Sequence, residues 1–127
     1  MSNGGNRVEV PILKQEGVLI ATVQTALTDT DLLELRRGLV EKVAKARARG
    51  VIVDLTAMDV MDSFASRTMR EMAHMIRLRG AETVIVGIQP DVAVAMVQLG
   101  LKVDGITTAL DLEEGLEYLR SKFKVTP

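Results

Sequence analysis

Two short runs of branched apolar residues, VIVDL at 51–55 and TVIVGI at 83–88, each stand behind a helical stretch that closes on a glycine. Runs of this length and composition suit strands buried on both faces. Strands that alternate with helices pair in parallel, each joined to the next by a crossover helix. The chain is thereby expected to build an α/β layer around one mostly parallel sheet.

The remaining segments extend that pattern. Residues 10–14 (VPILK) and 18–24 (VLIATVQ) flank a Glu-Gly turn and read as a hairpin. Pro11 puts the first of these strands at a sheet edge, because proline donates nothing to a ladder. A helix is expected from Asp29 to Arg47, with Leu32, Leu35, Leu39, Val43 and Ala46 on one face and Arg37, Glu41 and Lys45 as a charge ladder opposite. Gly50 is read as its stop. A second helix is expected from Ser63 to Arg79, closed by Gly80, with Ala65, Met69, Met72 and Ile76 inward. Gln89-Pro90-Asp91 opens a short helix, since proline suits the first helical position and an acid suits the positive end of the dipole. Its body, VAVAMVQL, is apolar nearly all round and needs cover from the domain or from another subunit. After Gly100 comes a weak strand near Val103–Thr107, then a last helix from Asp111 with Leu112, Leu116 and Leu119 inward. The order β-β-α-β-α-β-α-β-α, with no repeat or linker, describes one domain over residues 8–124 behind a short flexible lead-in, residues 1–7.

Composition narrows the function. A chain of 127 residues, 47% apolar and 26% charged, can bury a core of its own. A net charge of −1 with scattered Lys and Arg leaves no footprint for nucleic acid or an anionic membrane. The absence of cysteine removes disulfides, thiolate zinc sites and thiol nucleophiles. One Tyr, two Phe and no Trp leave little for base stacking. The apolar runs fall short of the roughly 20 residues of a membrane span, and MSNGGNR has no apolar stretch of a signal peptide. A cytoplasmic setting is expected.

No phosphate loop of the GxxxxGK[ST] or GxGxxG kind is present. The only histidine, His74, is expected on the solvent face of its helix near Arg67 and Arg70, and a lone imidazole builds neither a triad nor a metal cluster. With no nucleophile–base–oxyanion constellation, the chain reads as no enzyme, with no cofactor and no metal. What it offers instead is hydroxyls at helix starts. Ser63 follows Asp59 and Asp62 in DVMDSFAS, and Thr28 and Thr30 surround Asp29 in TALTDTDL. Parallel strands would bring both loops to one edge of the sheet, where α/β folds place their sites. Capping is the ordinary role of such residues, although neither start has Glu or Gln three residues on to complete a capping box. The other reading is phosphorylation, whose charge of roughly −1.5 to −2 a helix N-terminus tolerates. Beside Asp59 and Asp62 it would turn the surface sharply acidic. Phe64, Met75 and Leu78 form a second stripe on the same helix, interrupted by Glu71, that could flank the core or dock a partner.

Taken together, VPILKQEGVLIATVQ, VIVDLTAMDVMDSF, TVIVGIQPDVAVAMVQLG and TTALDLEEGLEYL resemble the STAS domains of anti-sigma factor antagonists, in particular stressosome scaffolds of the RsbS type. The resemblance covers essentially everything after the lead-in. Its more specific parts are the Asp-Ser-Phe behind a strand and the GIQPxVAxxxxxLG segment. It implies an α/β fold of mixed, mostly parallel sheet with helices mainly on one side. It also implies that Ser63 is phosphorylated by an RsbT-like serine/threonine switch kinase. In the family, the unphosphorylated scaffold holds the kinase together with RsbR-type STAS paralogues, phosphorylation releases it, and an RsbX-like phosphatase resets the scaffold. Asp54, Asp59, Asp62 and Phe64 would then support the switch loop and kinase docking. Thr30 is the nearest match to the second phosphoacceptor of the paralogues. A homodimer and a higher-order assembly are expected, without nucleic acid or membrane.

Three other readings compete, one of them an enzyme with an unrecognised small-molecule site in a concave polar pocket at the strand ends, which nothing in the sequence demands. In a receiver domain, Asp54 at the end of VIVDL would be the phosphoacceptor. Such a domain also needs an acidic pair for Mg²⁺ after its first strand, and neither early strand is followed by one. Alternatively, the chain is the STAS module of another sensor or of a transporter.

Overall fold

The computed structural model describes residues 9–99 and 106–123. The lead-in at 1–7 and the first part of the strand expected near Val103 lie outside the described residues. Five strands form one sheet in sequence order: β1 (Ile12–Gln15), β2 (Val18–Thr22), β3 (Gly50–Asp54), β4 (Glu82–Val86) and β5 (Ile106–Ala109). The hairpin partners β1 and β2 run antiparallel, with Leu13 opposite Ile20, and every later pair is parallel. The tight turn between them sets Glu16 and Gly17 at φ 53° and 78°. Pro11 sits just before the edge strand, where its carbonyl still accepts the Thr22 amide at 3.1 Å.

Period-two alternation divides the sheet into two apolar faces. Leu19, Ala21, Val51, Val53 and Ile85 point toward α1 (Asp29–Ala46), α2 (Ser63–Leu78) and α3 (Pro90–Gln98). Val18, Ile20, Ile52, Val84 and Val86 meet Leu116 and Leu119 of α4 (Leu112–Lys122) on the opposite side. Three helices thus cover one face and one covers the other. Both faces of β3 are buried, which is why VIVDL carries no polar alternation.

Several local details differ from the sequence reading. The first helix is stopped by Arg47, not Gly50: Arg47 takes the left-handed conformation (φ 51°), and β3 begins at Gly50. Gly50 is needed for packing, because a Cβ there would lie 2.8 Å from Leu119 Cδ1 of α4. Thr28 does complete a capping box, with Asp31 in place of the longer acid: Asp31 N–H donates to Thr28 Oγ1 at 3.1 Å and Thr28 N–H to Asp31 Oδ2 at 3.0 Å. Leu112 opens α4 on its exposed side, so Leu116 and Leu119 alone carry the inward face with Gly115. The described part of the last strand, Ile106–Ala109, ends two residues beyond the expected Thr107.

Candidate functional site

The C-terminal ends of β2, β3 and β4 converge on one edge, and backbone hydrogen bonds continue past the strands: Val23 N–H to the Asp54 carbonyl and Leu55 N–H to the Val86 carbonyl, both 3.0 Å. The loop after β3 is pinned at its start. Asp54 Oδ1 accepts from the Thr56 amide at 2.9 Å and from the Thr56 hydroxyl at 2.6 Å, an Asx-type turn. Gln89 Nε2, at the entry to α3, donates to the Thr56 carbonyl at 2.7 Å. Gly87 lets the two loops touch: it sits at φ 73°, and a Cβ there would collide with Thr56 Oγ1.

Beyond Thr56 the loop is anchored by Met58 and Met61, both buried, while Asp59 and Val60 between them are exposed, Val60 at 69%. Asp62 then caps α2. Its backbone is extended, and its Oδ1 accepts the Ala65 amide at 2.8 Å. Ser63 is therefore the first helical residue rather than the cap. Its side chain is exposed and makes no hydrogen bond among the described residues. Phe64 is half-buried against the main core, so the apolar stripe expected from Phe64 to Leu78 is broken at its first member. Met75 and Leu78, the latter 88% exposed, border a separate groove with Arg36, Arg70, Glu71 and His74. Arg36 Nη1 and Glu71 Oε1 pair at 2.8 Å across α1 and α2.

The two helix starts share the sheet edge, as the topology requires. A cavity of about 120 Å³ is lined by Ala26, Leu27 and Leu32 from the first loop and helix and by Met58, Asp59, Val60, Asp62 and Ala65 from the second. Thr30 lies in the first turn of α1, exposed, while Thr28 does the capping. Ser63 opens instead onto a different cavity of about 170 Å³, with Ser66, Arg67, Arg70 and Leu99. Sequence reasoning assigned no role in the site to Ser66, Arg67 or Arg70. Their spacing from Ser63, at i+3, i+4 and i+7 on one helix face, was the signal that could have found them. Thr56 and Gln89 gave no such signal, since their contact spans 33 residues. Among the described residues no group of three or more His, Asp or Glu side chains is gathered to hold a metal ion. No helix among them is long and apolar enough to cross a membrane.

The family model for the STAS domain matches residues 9–115. The chain belongs to the STAS domain family. Among curated relatives, the RsbT co-antagonist protein RsbRA of Bacillus subtilis (strain 168) is 27% identical over 99 residues. That match covers 78% of this chain and only 35% of RsbRA. Among solved structures, a serine-to-glutamate variant of Moorella thermoacetica RsbS superposes with a TM-score of 0.82 at 28% identity, over 93% of this STAS chain and 100% of that one. A chain from the molecular architecture of the stressosome, described as a signal integration and transduction hub, superposes with a TM-score of 0.75. It too is 28% identical, over 91% of this chain and 100% of that chain. The STAS fold found here is therefore of the stressosome type.

Proposed function

We propose that the chain is a non-enzymatic, phosphorylation-switched scaffold of the stressosome, which sequesters an RsbT-like serine/threonine kinase and releases it once Ser63 carries a phosphate. The observation that carries this is the division of labour at the start of α2. Asp62 supplies the cap, so the exposed Ser63 hydroxyl has no structural duty to explain it. The relatives give the setting, one being named a co-antagonist of RsbT and another belonging to the stressosome itself.

The switch loop suits this role. The Asp54–Thr56–Gln89 bonds hold its base rigid, while Asp59 and Val60 form an exposed tip that, with the accessible part of Phe64, presents a docking surface beside Ser63. A phosphate at the first helical position adds roughly −1.5 to −2 charges without opposing the helix dipole. The change is therefore electrostatic, and the fold survives it. RsbR-type paralogues and an RsbX-like phosphatase complete the proposed set of partners, in a cytoplasmic assembly built on dimers and higher oligomers. Thr30, exposed in the first turn of α1, is carried as a secondary acceptor. The receiver reading gains no support at Asp54, whose Oδ1 already accepts two hydrogen bonds from Thr56.

Incubation with an RsbT-like kinase and ATP-Mg²⁺, followed by site mapping, is expected to place phosphate on Ser63 and to show its loss in Ser63→Ala. Undiminished incorporation in Ser63→Ala would overturn the assignment. So would no incorporation into the wild type by a kinase active on another substrate.

A further inference from the structure

Ser63 and the two acids that precede it in sequence line different cavities. Asp59 and Asp62 line the cavity that faces α1, whereas Ser63 lines the one that reaches toward Leu99 at the end of α3. The neighbours of Ser63 in its own cavity are cationic and polar: Arg67 and Arg70, both exposed, and Ser66. Neither arginine has an ion pair among the described residues, in contrast to Arg36, Arg37 and Arg120, each of which holds a carboxylate. Ser66 is the odd residue. It is 3% exposed, and its hydroxyl has no hydrogen-bond partner among the described residues. A buried hydroxyl without a partner is destabilising, and a group that accepts from it would remove that cost.

Helix geometry places that group. Residues three, four and seven positions after Ser63 stand on the same face of α2 as its side chain. In the first turn the Ala65 amide is committed to Asp62 Oδ1 and the Ser66 amide to the Asp62 carbonyl. An anion on Ser63 would find charged donors one and two turns along the helix, on the side chains that line its cavity. A guanidinium offers planar, charge-assisted donors that match phosphate oxygens.

We propose that this cavity is an internal phosphate-binding site: when Ser63 is phosphorylated, its phosphate folds back onto Arg67 and Arg70 and accepts a hydrogen bond from the Ser66 hydroxyl. The inference rests on the phospho-switch reading of Ser63 and adds how the mark is read. Phosphorylation then does two things at once. It adds negative charge, and it withdraws two guanidinium groups that a bound partner would otherwise meet.

The test is a ³¹P NMR titration of the full chain with phosphoserine installed at Ser63 during translation, so that it does not depend on any kinase. A failure of the switch kinase to modify Ser63 would leave this titration interpretable on its own. The second ionisation of the phosphoserine is expected about one pH unit higher in Arg67→Gln/Arg70→Gln than in the wild type, because two adjacent cations favour the dianion. Ser66→Ala should raise it by a smaller amount. Arg77→Gln, at the far end of the same helix, should leave it unchanged. An equal midpoint in the wild type and the double variant would show a phosphate standing free in solvent and overturn the proposal. An equally large change in Arg77→Gln would overturn it as well, by reducing the effect to net charge.

Discussion

At the start of α2 two adjacent residues could each cap the helix, and their backbone decides between them. Asp62 holds ψ 178°, outside the helix, which lets its carboxylate reach back to the Ala65 amide. Ser63 is already helical and cannot make that bond. Asp62→Ala is accordingly expected to lose about 1 kcal/mol of stability, as cap removals do. Ser63→Ala should stay within about 0.5 kcal/mol, as exposed substitutions do. Urea unfolding of the two variants checks this, and a larger loss for Ser63→Ala would return that serine to a structural role. That a hydroxyl and an acid stand at a helix start was legible in DVMDSFAS. Which of them caps was not, because one-residue shifts in a helix boundary leave composition and periodicity unchanged. The Thr56 and Gln89 contact was illegible for a different reason: it exists only once β3 and β4 lie side by side.

Among the elements, those with long apolar periodicity were readable and those defined by packing were not. The inward residues of α1 and α2 fall where the 3.6-residue repeat puts them, with Leu39 and Ile76 fully buried. The surface ladder on α1 is redistributed. Arg37 bridges Glu34 and Glu41 at 2.7 and 3.2 Å, and no ion pair joins Glu41 to Lys45 among the described residues. The hydrogen bond and charge of Glu34, followed by the charge of Glu41, raise the Arg37 guanidinium above its ordinary value. Gly50 was read as a helix stop because glycine ends helices so often, yet its use is to admit α4. That role depends on Leu119, which sits 69 positions further along the chain. Leu112 looked inward because it shares the spacing of Leu116 and Leu119, but it stands exposed at the first position of α4. Leu119→Ala is therefore expected to cost about 2–5 kcal/mol. Leu112→Ala should cost less than about 1 kcal/mol, as a surface change. Chemical denaturation of the pair measures the difference, and equal losses would contradict the packing described for α4.

For the molecule as a whole, the architecture separates a rigid frame from a surface that chemistry can alter. The sheet is buried on both faces by three helices and one, and the loops at its C-terminal edge are tied to one another by Asp54, Thr56, Gly87 and Gln89. The proposed phosphate at Ser63 would fall outside that frame, on an exposed side chain that no hydrogen bond holds among the described residues. A switch built this way changes what docks without changing the fold, and the far-UV spectrum of the phosphorylated chain should match that of the unmodified one. The most direct test of the switch is the affinity of an RsbT-like kinase for the chain, measured with and without phosphoserine installed at Ser63. Binding to the unmodified chain, weakened at least about tenfold (roughly 1.4 kcal/mol) by the phosphate, is the predicted result. Equal affinity for the two forms, or tighter binding to the phosphorylated one, would contradict the release of the kinase by Ser63 phosphorylation.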